Sequence, residues 1–292
     1  MVSFKIKYRL SLLVIIISLA CEREADYLKL PEFEQKLVIT SFISPSDTVS
    51  YFFVSSNKNI FGEQNTEEPL GSLAGYLSNG ISKVTLDTIK NGFRISREKM
   101  PIDYGKTYRL KISNDHGLSL EASCTVPPKR NFTIKADTFS VLLQSPEPLI
   151  YTFRSTEFFL TINDIAGEEN FYRISGRVID YYTNQITGTT NIIINDSGFE
   201  GEFFTDKGMD GKEIIQKTNL RSSVDHYSCD SAFLEIALFN TEKSYYLYHK
   251  SLDNYNDGKN PFTEATPVYS NITGGLGVFT SYTVDTLVIR IK

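Results

Sequence analysis

Nucleophilic catalysis needs a base held against a serine or cysteine, and this chain has three histidines from which to draw one: His116, His226 and His249. His116 falls in a turn, His226 precedes a tyrosine and His249 lies in a helical run; no G-x-S-x-G nucleophile elbow accompanies them. For zinc, His226 with Cys229 is the one closely spaced pair, and two ligands do not make a site. The adjacent acids Glu168 and Glu169 could serve glycoside hydrolysis, but no local motif selects them over other surface carboxylates. The segment Asp253-Asn254-Tyr255-Asn256-Asp257-Gly258 with Glu264 partly matches an EF-hand loop. Tyr255 at the third place, Pro261 at the ninth and Pro267 soon after argue instead for an ordinary turn following a helix. The expectation is therefore no catalytic residue, no metal and no cofactor.

Cys21 carries the strongest chemical signal. Lys5, Lys7 and Arg9 lead into the apolar stretch Leu10–Ala20, which ends in Ser18-Leu19-Ala20 directly before the cysteine. Eleven apolar residues fall short of the roughly 20 that a spanning helix needs. A small residue followed by cysteine at the end of such a leader resembles a bacterial lipobox, although Ser18 and Leu19 depart from its commonest form. Diacylglyceryl transfer to the Cys21 thiol would supply two acyl chains, and at about 0.8 kcal/mol per buried methylene two chains hold where one is marginal. Residues 1–20 then form a signal peptide and 21–33 a tether. The acidic run from Glu22 to Asp26 resembles the surface-export signal of Bacteroidetes lipoproteins; the alternative is a tether that is charged because it is solvated. The expected location is the outer membrane, lipid-anchored and cell-surface exposed, with the periplasmic face as the other option.

Loss of the leader removes three basic groups and leaves 27 against 35 acidic ones, a net charge of −8. An acidic body repels nucleic acid and anionic headgroups, so membrane contact is expected through the lipid. Twenty Phe, 17 Tyr and many Thr, Ile and Val favour strands. Besides Cys21 only Cys124 and Cys229 remain; Cys124 falls on the core side of the alternation Leu118, Leu120, Ala122, Cys124, Val126, and whether it pairs with Cys229 is left open.

These few groups must be carried by strands. Short β-rich runs separated by turn residues occupy Lys36–Ile43, Val49–Ser55, Lys83–Ile89, Thr107–Ser113 and Leu118–Val126, a spacing that suggests a sandwich. Pro127-Pro128-Lys129-Arg130 ends the alternation, which places a domain boundary at residue 128. Further runs cover Phe158–Ile162, Phe171–Ile179, Asn191–Ile194, Lys212–Lys217, Ala232–Phe239 and Val284–Ile291. Tyr245, Tyr248, Leu252 and Tyr255 recur at helical spacing, so one helix is expected near 242–254, its aromatic stripe packed on a sheet. The fold class is thus all-β: an immunoglobulin-like β-sandwich over 34–128, then a second β-rich sandwich domain over 129–292 that carries the helix. Two long loops, Asn57–Gly71 and Asn254–Val268, join these elements.

Three pieces of sequence carry a family resemblance: the acidic segment leading to Leu37-Val38-Ile39, the stretch Tyr104–Leu110 with Val126-Pro127 after it, and Tyr269–Phe279 with its Ser-Asn-Ile-x-Gly-Gly-Leu-Gly-Val-Phe core. Together they resemble domain of unknown function 4249, a group of Bacteroidetes lipoproteins. Members are typically encoded beside TonB-dependent outer-membrane receptors, so the resemblance implies an accessory or ligand-binding partner of such a receptor in nutrient uptake, without enzymatic activity. It assigns no site residue beyond the lipid attachment at Cys21. The glycines of the last motif imply a tight turn or close backbone approach before the final strands. A structural or adhesive surface module without a small-molecule ligand is the other reading.

Overall fold

The computed structural model describes residues 33–58, 70–128, 135–143, 153–164, 166–192, 202–222, 229–257 and 267–290. Cys21, the leader and the tether up to residue 32 lie outside them, as do His226 and most of both long loops.

The first half builds eight strands. Leu37, Ile39 and Ile43 of β1 (Leu37–Ile43) are buried, while Thr40 and Phe42 between them turn outward, the period-two pattern of a half-buried strand. β1, β2 (Val49–Ser56), β6 (Gly92–Ser96) and β5 (Asp87–Ile89) lie side by side in that order. Facing them is a sheet ordered β4 (Lys83–Thr85), β3 (Leu73–Ser78), β7 (Thr107–Asn114) and β8 (Ser119–Thr125). Lettered along the chain, the sheets read A-B-E-D and C′-C-F-G, the immunoglobulin arrangement. Tyr108 adds a tyrosine corner: fully buried, its hydroxyl donates to the carbonyl of Pro101 (2.7 Å) and accepts from the amide of Asp103 (2.8 Å). Phe52, Phe93, Leu77, Leu110 and Ile112 fill the space between the sheets, each large side chain contributing about 1.5–3 kcal/mol by leaving water.

The run expected over Lys83–Ile89 proves to be two strands in different sheets. Leu86 is the crossing point: it is buried, its amide bonds to the carbonyl of Gly75, and the chain passes across the core there from β4 to β5. β3 and β6 were not among the expected runs. Each contains a glycine, and a Cβ on Gly75 would stand 3.2 Å from both Ile112 and Leu86, so packing requires a residue that weakens the strand signal.

The second half pairs β11 (Phe171–Tyr182) with β12 (Gln185–Ile192), with the short β13 (Phe203–Thr205) and with β15 (Ser231–Thr241). A separate sheet is ordered β14 (Glu213–Ser222), β10 (Phe153–Asn163) and β9 (Lys135–Leu143). Ile162 of β10 and Ile214 of β14 join Tyr172, Ile174, Leu234 and Leu238 in one core cluster, which closes the second sandwich. The helix α1 (Lys243–Asp257) runs one turn beyond its expected end and carries Asp253, Tyr255 and Asp257, so those residues do not form the start of a cation-binding loop.

The last strand, β16 (Leu276–Arg290), begins eight residues earlier than the pattern Val284–Ile291 suggested. Residues 276–281 pair in parallel with β1 from Val38↔Leu276 to Ile43↔Ser281, and residues 282–290 pair antiparallel with β15. At Gly277, with φ of +100°, a Cβ would lie 2.0 Å from the carbonyl oxygen of Ile39. This is the close approach implied by the glycine-rich motif. At the boundary expected at residue 128, the two core clusters are separate, Phe279 crossing into the first with Ile272 packed against it, yet β16 bonds to both halves and residues 35–292 group as one unit.

Candidate functional site

On the outer face of the four-stranded sheet the alternation that buries Tyr108, Leu110 and Ile112 turns Arg109 and Lys111 toward solvent. Cross-strand register sets their neighbours. Ser78 stands opposite both Arg109 and Lys83, Tyr76 opposite Lys111, and Ser123 opposite Arg109. The result is an open polar groove of about 470 Å³. Its wall is fixed by backbone: Glu121 and Thr273 exchange N–H···O bonds of 2.9 and 2.8 Å, and Asn271 is clamped to the main chain of Phe279 by bonds of 2.8 and 3.1 Å. Asn271 and Thr273 thus bring the glycine-rich motif to the groove.

The cations here are not equally engaged. Lys111 donates to Glu121 at 2.6 Å, and that bond together with the carboxylate charge holds its pKa above the ordinary lysine value. Lys83 places its ammonium 3.5 Å from the centre of the Tyr76 ring. The Arg109 guanidinium makes no hydrogen bond or ion pair among the described residues. Three cations against one carboxylate give this face a charge opposite to that of the body.

A second cleft, about 380 Å³, lies on the outer face of β1 and β2. Tyr51 and Phe53 are 45% and 53% exposed, with ring centroids 6.2 Å apart and planes within 13°, and Phe42 forms the far side. Asp47 at its end accepts a bond from Tyr282, yet burial raises its carboxyl above the usual range.

Helix α1 brings His249 into an aromatic cage. Its ring stacks on Phe42 (5.4 Å) and Phe203 (5.1 Å) and touches Tyr245 and Tyr248. Nε2 is buried without a hydrogen-bond partner among the described residues. Burial first, and the Arg173 charge second, push the imidazole down to about 4. Arg173 itself is held by Glu202 and by the Tyr245 hydroxyl at 2.9 Å. At the helix start the Glu242 carboxylate accepts from the amide of Thr125 (3.1 Å) and the hydroxyls of Ser244 and Thr280 (both 3.1 Å), tying β8, α1 and β16 together.

The remaining sequence candidates are dispersed. His116 is exposed, 3.6 Å from Asp115. Glu169 is ion-paired with Lys243 at 2.9 Å. Cys124 is a buried free thiol pushed well above its usual pKa by burial, which suppresses the nucleophilic thiolate; it does not pair with Cys229, which belongs to the other core.

One acidic group was not singled out from the sequence. Asp164, Asp206 and Asp210 bring carboxylate oxygens within 4.8 Å of one another, an all-oxygen set of the kind hard cations take. Each already accepts hydrogen bonds: Asp164 from Tyr172 and Gly211, Asp206 from Asn170, Asp210 from Gly167. Asp206 and Asp210 share one glycine-rich turn, but nothing in the sequence ties them to Asp164. The basic groove had a visible signal, two cations at alternate positions of one strand in an acidic chain, that the strand reading passed over.

Among the described residues no helix is long and apolar enough to cross a membrane. No curated protein matches the chain. The model of the family described as domain of unknown function DUF4249 matches residues 24–287, from just after Cys21 almost to the end of β16, and the chain belongs to that family.

Proposed function

We propose that the protein is a non-enzymatic outer-membrane surface lipoprotein, acylated at Cys21, that acts as an accessory or ligand-binding partner of a TonB-dependent receptor in nutrient uptake. The observation that carries this reading is positional: the apolar leader ends directly before Cys21, and the family match begins three residues after that cysteine, at residue 24. Binding rather than turnover is supported by the groove, where Arg109 faces solvent without a partner among the described residues, while the buried thiol of Cys124 and the caged imidazole of His249 are each held in their neutral forms. Replacing Cys21 with Ser is expected to abolish incorporation of labelled palmitate and to leave the protein soluble or leader-bearing; continued labelling sinks the lipoprotein reading. Tagged protein extracted in mild detergent is expected to bring down an outer-membrane receptor. Its repeated absence from the eluate sinks the partnership.

The alternative, a structural or adhesive module, is favoured by the exposed Tyr51–Phe53 pair on a sheet face. Loss of cell–cell or surface attachment in a Tyr51→Ser, Phe53→Ser variant that still co-purifies with the receptor would move the assignment there.

A further inference from the structure

We propose that the groove over β3, β4, β7 and β8 binds an acidic glycan, a polyhydroxylated chain bearing carboxylate or sulfate groups; this rests on the reading of the body as a ligand-binding module and names its ligand class. Charge is the first argument. Lys83, Arg109 and Lys111 gather against the single Glu121 on a mature chain whose net charge is −8, so the groove attracts anions that the rest of the surface repels. Arg109, with no partner among the described residues, offers its planar fork for bidentate contact with a carboxylate or sulfate.

Spacing is the second. Arg109 and Lys111 are alternate residues of β7, about 7 Å apart, whereas Lys83 and Arg109 lie in one cross-strand row through Ser78, about 10 Å apart. With Lys111 drawn to Glu121 and Lys83 laid over Tyr76, the three cations are held at separate points, which a ligand that repeats its charge along a chain matches better than a single inorganic anion does. Hydroxyl groups line the same groove, that of Ser78 between Lys83 and Arg109 and those of Ser123 and Thr273 on the far side of β7; they both donate and accept and so suit a sugar's hydroxyls.

The same geometry disfavours two other polyanions. An acidic peptide adding as a strand would need a free sheet edge beside the groove: on β8 the edge at Glu121 is taken by Thr273, and the other edge, β4, offers only the three residues Lys83–Thr85. A single-stranded nucleic acid would need a run of aromatic faces for base stacking, whereas Tyr76 is the one aromatic side chain lining the groove among the described residues and one face of its ring carries the Lys83 ammonium.

The test uses the full lipidated protein in a neutral detergent, with polygalacturonate, dextran sulfate, uncharged dextran and a single-stranded oligonucleotide as probes and sodium sulfate as competitor. At least one charged glycan is expected to bind at least about tenfold tighter than dextran and the oligonucleotide, and the pair of charged probes tells carboxylate from sulfate. Arg109→Glu should weaken that binding by about tenfold or more, while Lys90→Glu, on an exposed turn at the far sheet, should leave it unchanged. If Arg109→Glu melts at a lower temperature than wild type, Arg109→Gln replaces it, with about a threefold loss expected. Failure of both charged glycans to bind, tighter binding of the oligonucleotide, full displacement by equimolar sulfate, or an unaltered arginine variant overturns the assignment. Palmitate labelling at Cys21 and receptor co-purification do not depend on Arg109. Loss of glycan binding with both intact therefore refutes the groove alone, whereas loss of labelling refutes the lipoprotein reading.

Discussion

His249 sits between Phe42 and Phe203 with a buried nitrogen that has no hydrogen-bond partner among the described residues, and its charge state follows from that cage. In the unfolded chain the imidazole titrates near 6.5; folded, it resists protonation down to about 4. As pH falls from 6.5 toward 4 the unfolded chain takes up a proton that the folded one refuses, so stability declines over that window and levels off below it. Glu242 and Asp47 act in the opposite sense. Burial raises both carboxyls, so the folded protein binds their protons first and regains stability as pH drops through their folded pKa values. The His249 contribution is isolated by comparing wild type with His249→Phe, which keeps a ring in the stack and removes the orphaned nitrogen. The variant is expected to lose less melting temperature between pH 6.5 and 4; parallel curves for the two proteins would refute the account. Residues of this kind are only partly legible in a sequence. Cys124 is placed correctly because alternation alone decides which way it faces, whereas the cage of His249 depends on Phe42 and Phe203, brought to the helix by two different strands. The grouping of Asp164 with Asp206 and Asp210 is equally non-local.

Among the elements, β1, β2, β7 and β8 are legible because buried aliphatic and aromatic residues alternate with polar ones along them. β3, β6 and the first half of β16 are not. All three include glycines whose value is tertiary: at Gly92 and Gly277 alike, a Cβ would stand 2.0 Å from a neighbouring strand's carbonyl oxygen. Gly277→Ala is therefore expected to destabilise the protein by at least about 2 kcal/mol, from backbone strain at positive φ and from the lost approach to Ile39. Urea unfolding measures it; a midpoint within error of wild type would show that β16 can shift without cost. The groove depends on the same region, since Asn271 and Thr273 hold their places through Phe279 and Glu121. The variant should consequently weaken binding of any groove ligand as well as stability.

Across the whole molecule, two sandwiches with separate cores share one strand. Phe279 of β16 completes the first core, while residues 282–290 line up against β15 of the second. A chain ending at Gly275 is therefore expected to lose cooperative unfolding in both halves, with near-ultraviolet circular dichroism reporting the loss of fixed aromatic packing. Retention of a wild-type melting curve would show that the halves stand alone. The pattern of two β-rich halves is readable from the proline-rich break at Pro127-Pro128; the strand that joins them is not, because its partner in β1 lies almost at the other end of the chain. That pairing also sets an order in time. A ribosome delivers Val38 long before Leu276, so β1 waits with its β16-facing edge unpaired until the residues of β16 have emerged. The first strand to appear is among the last to be completed.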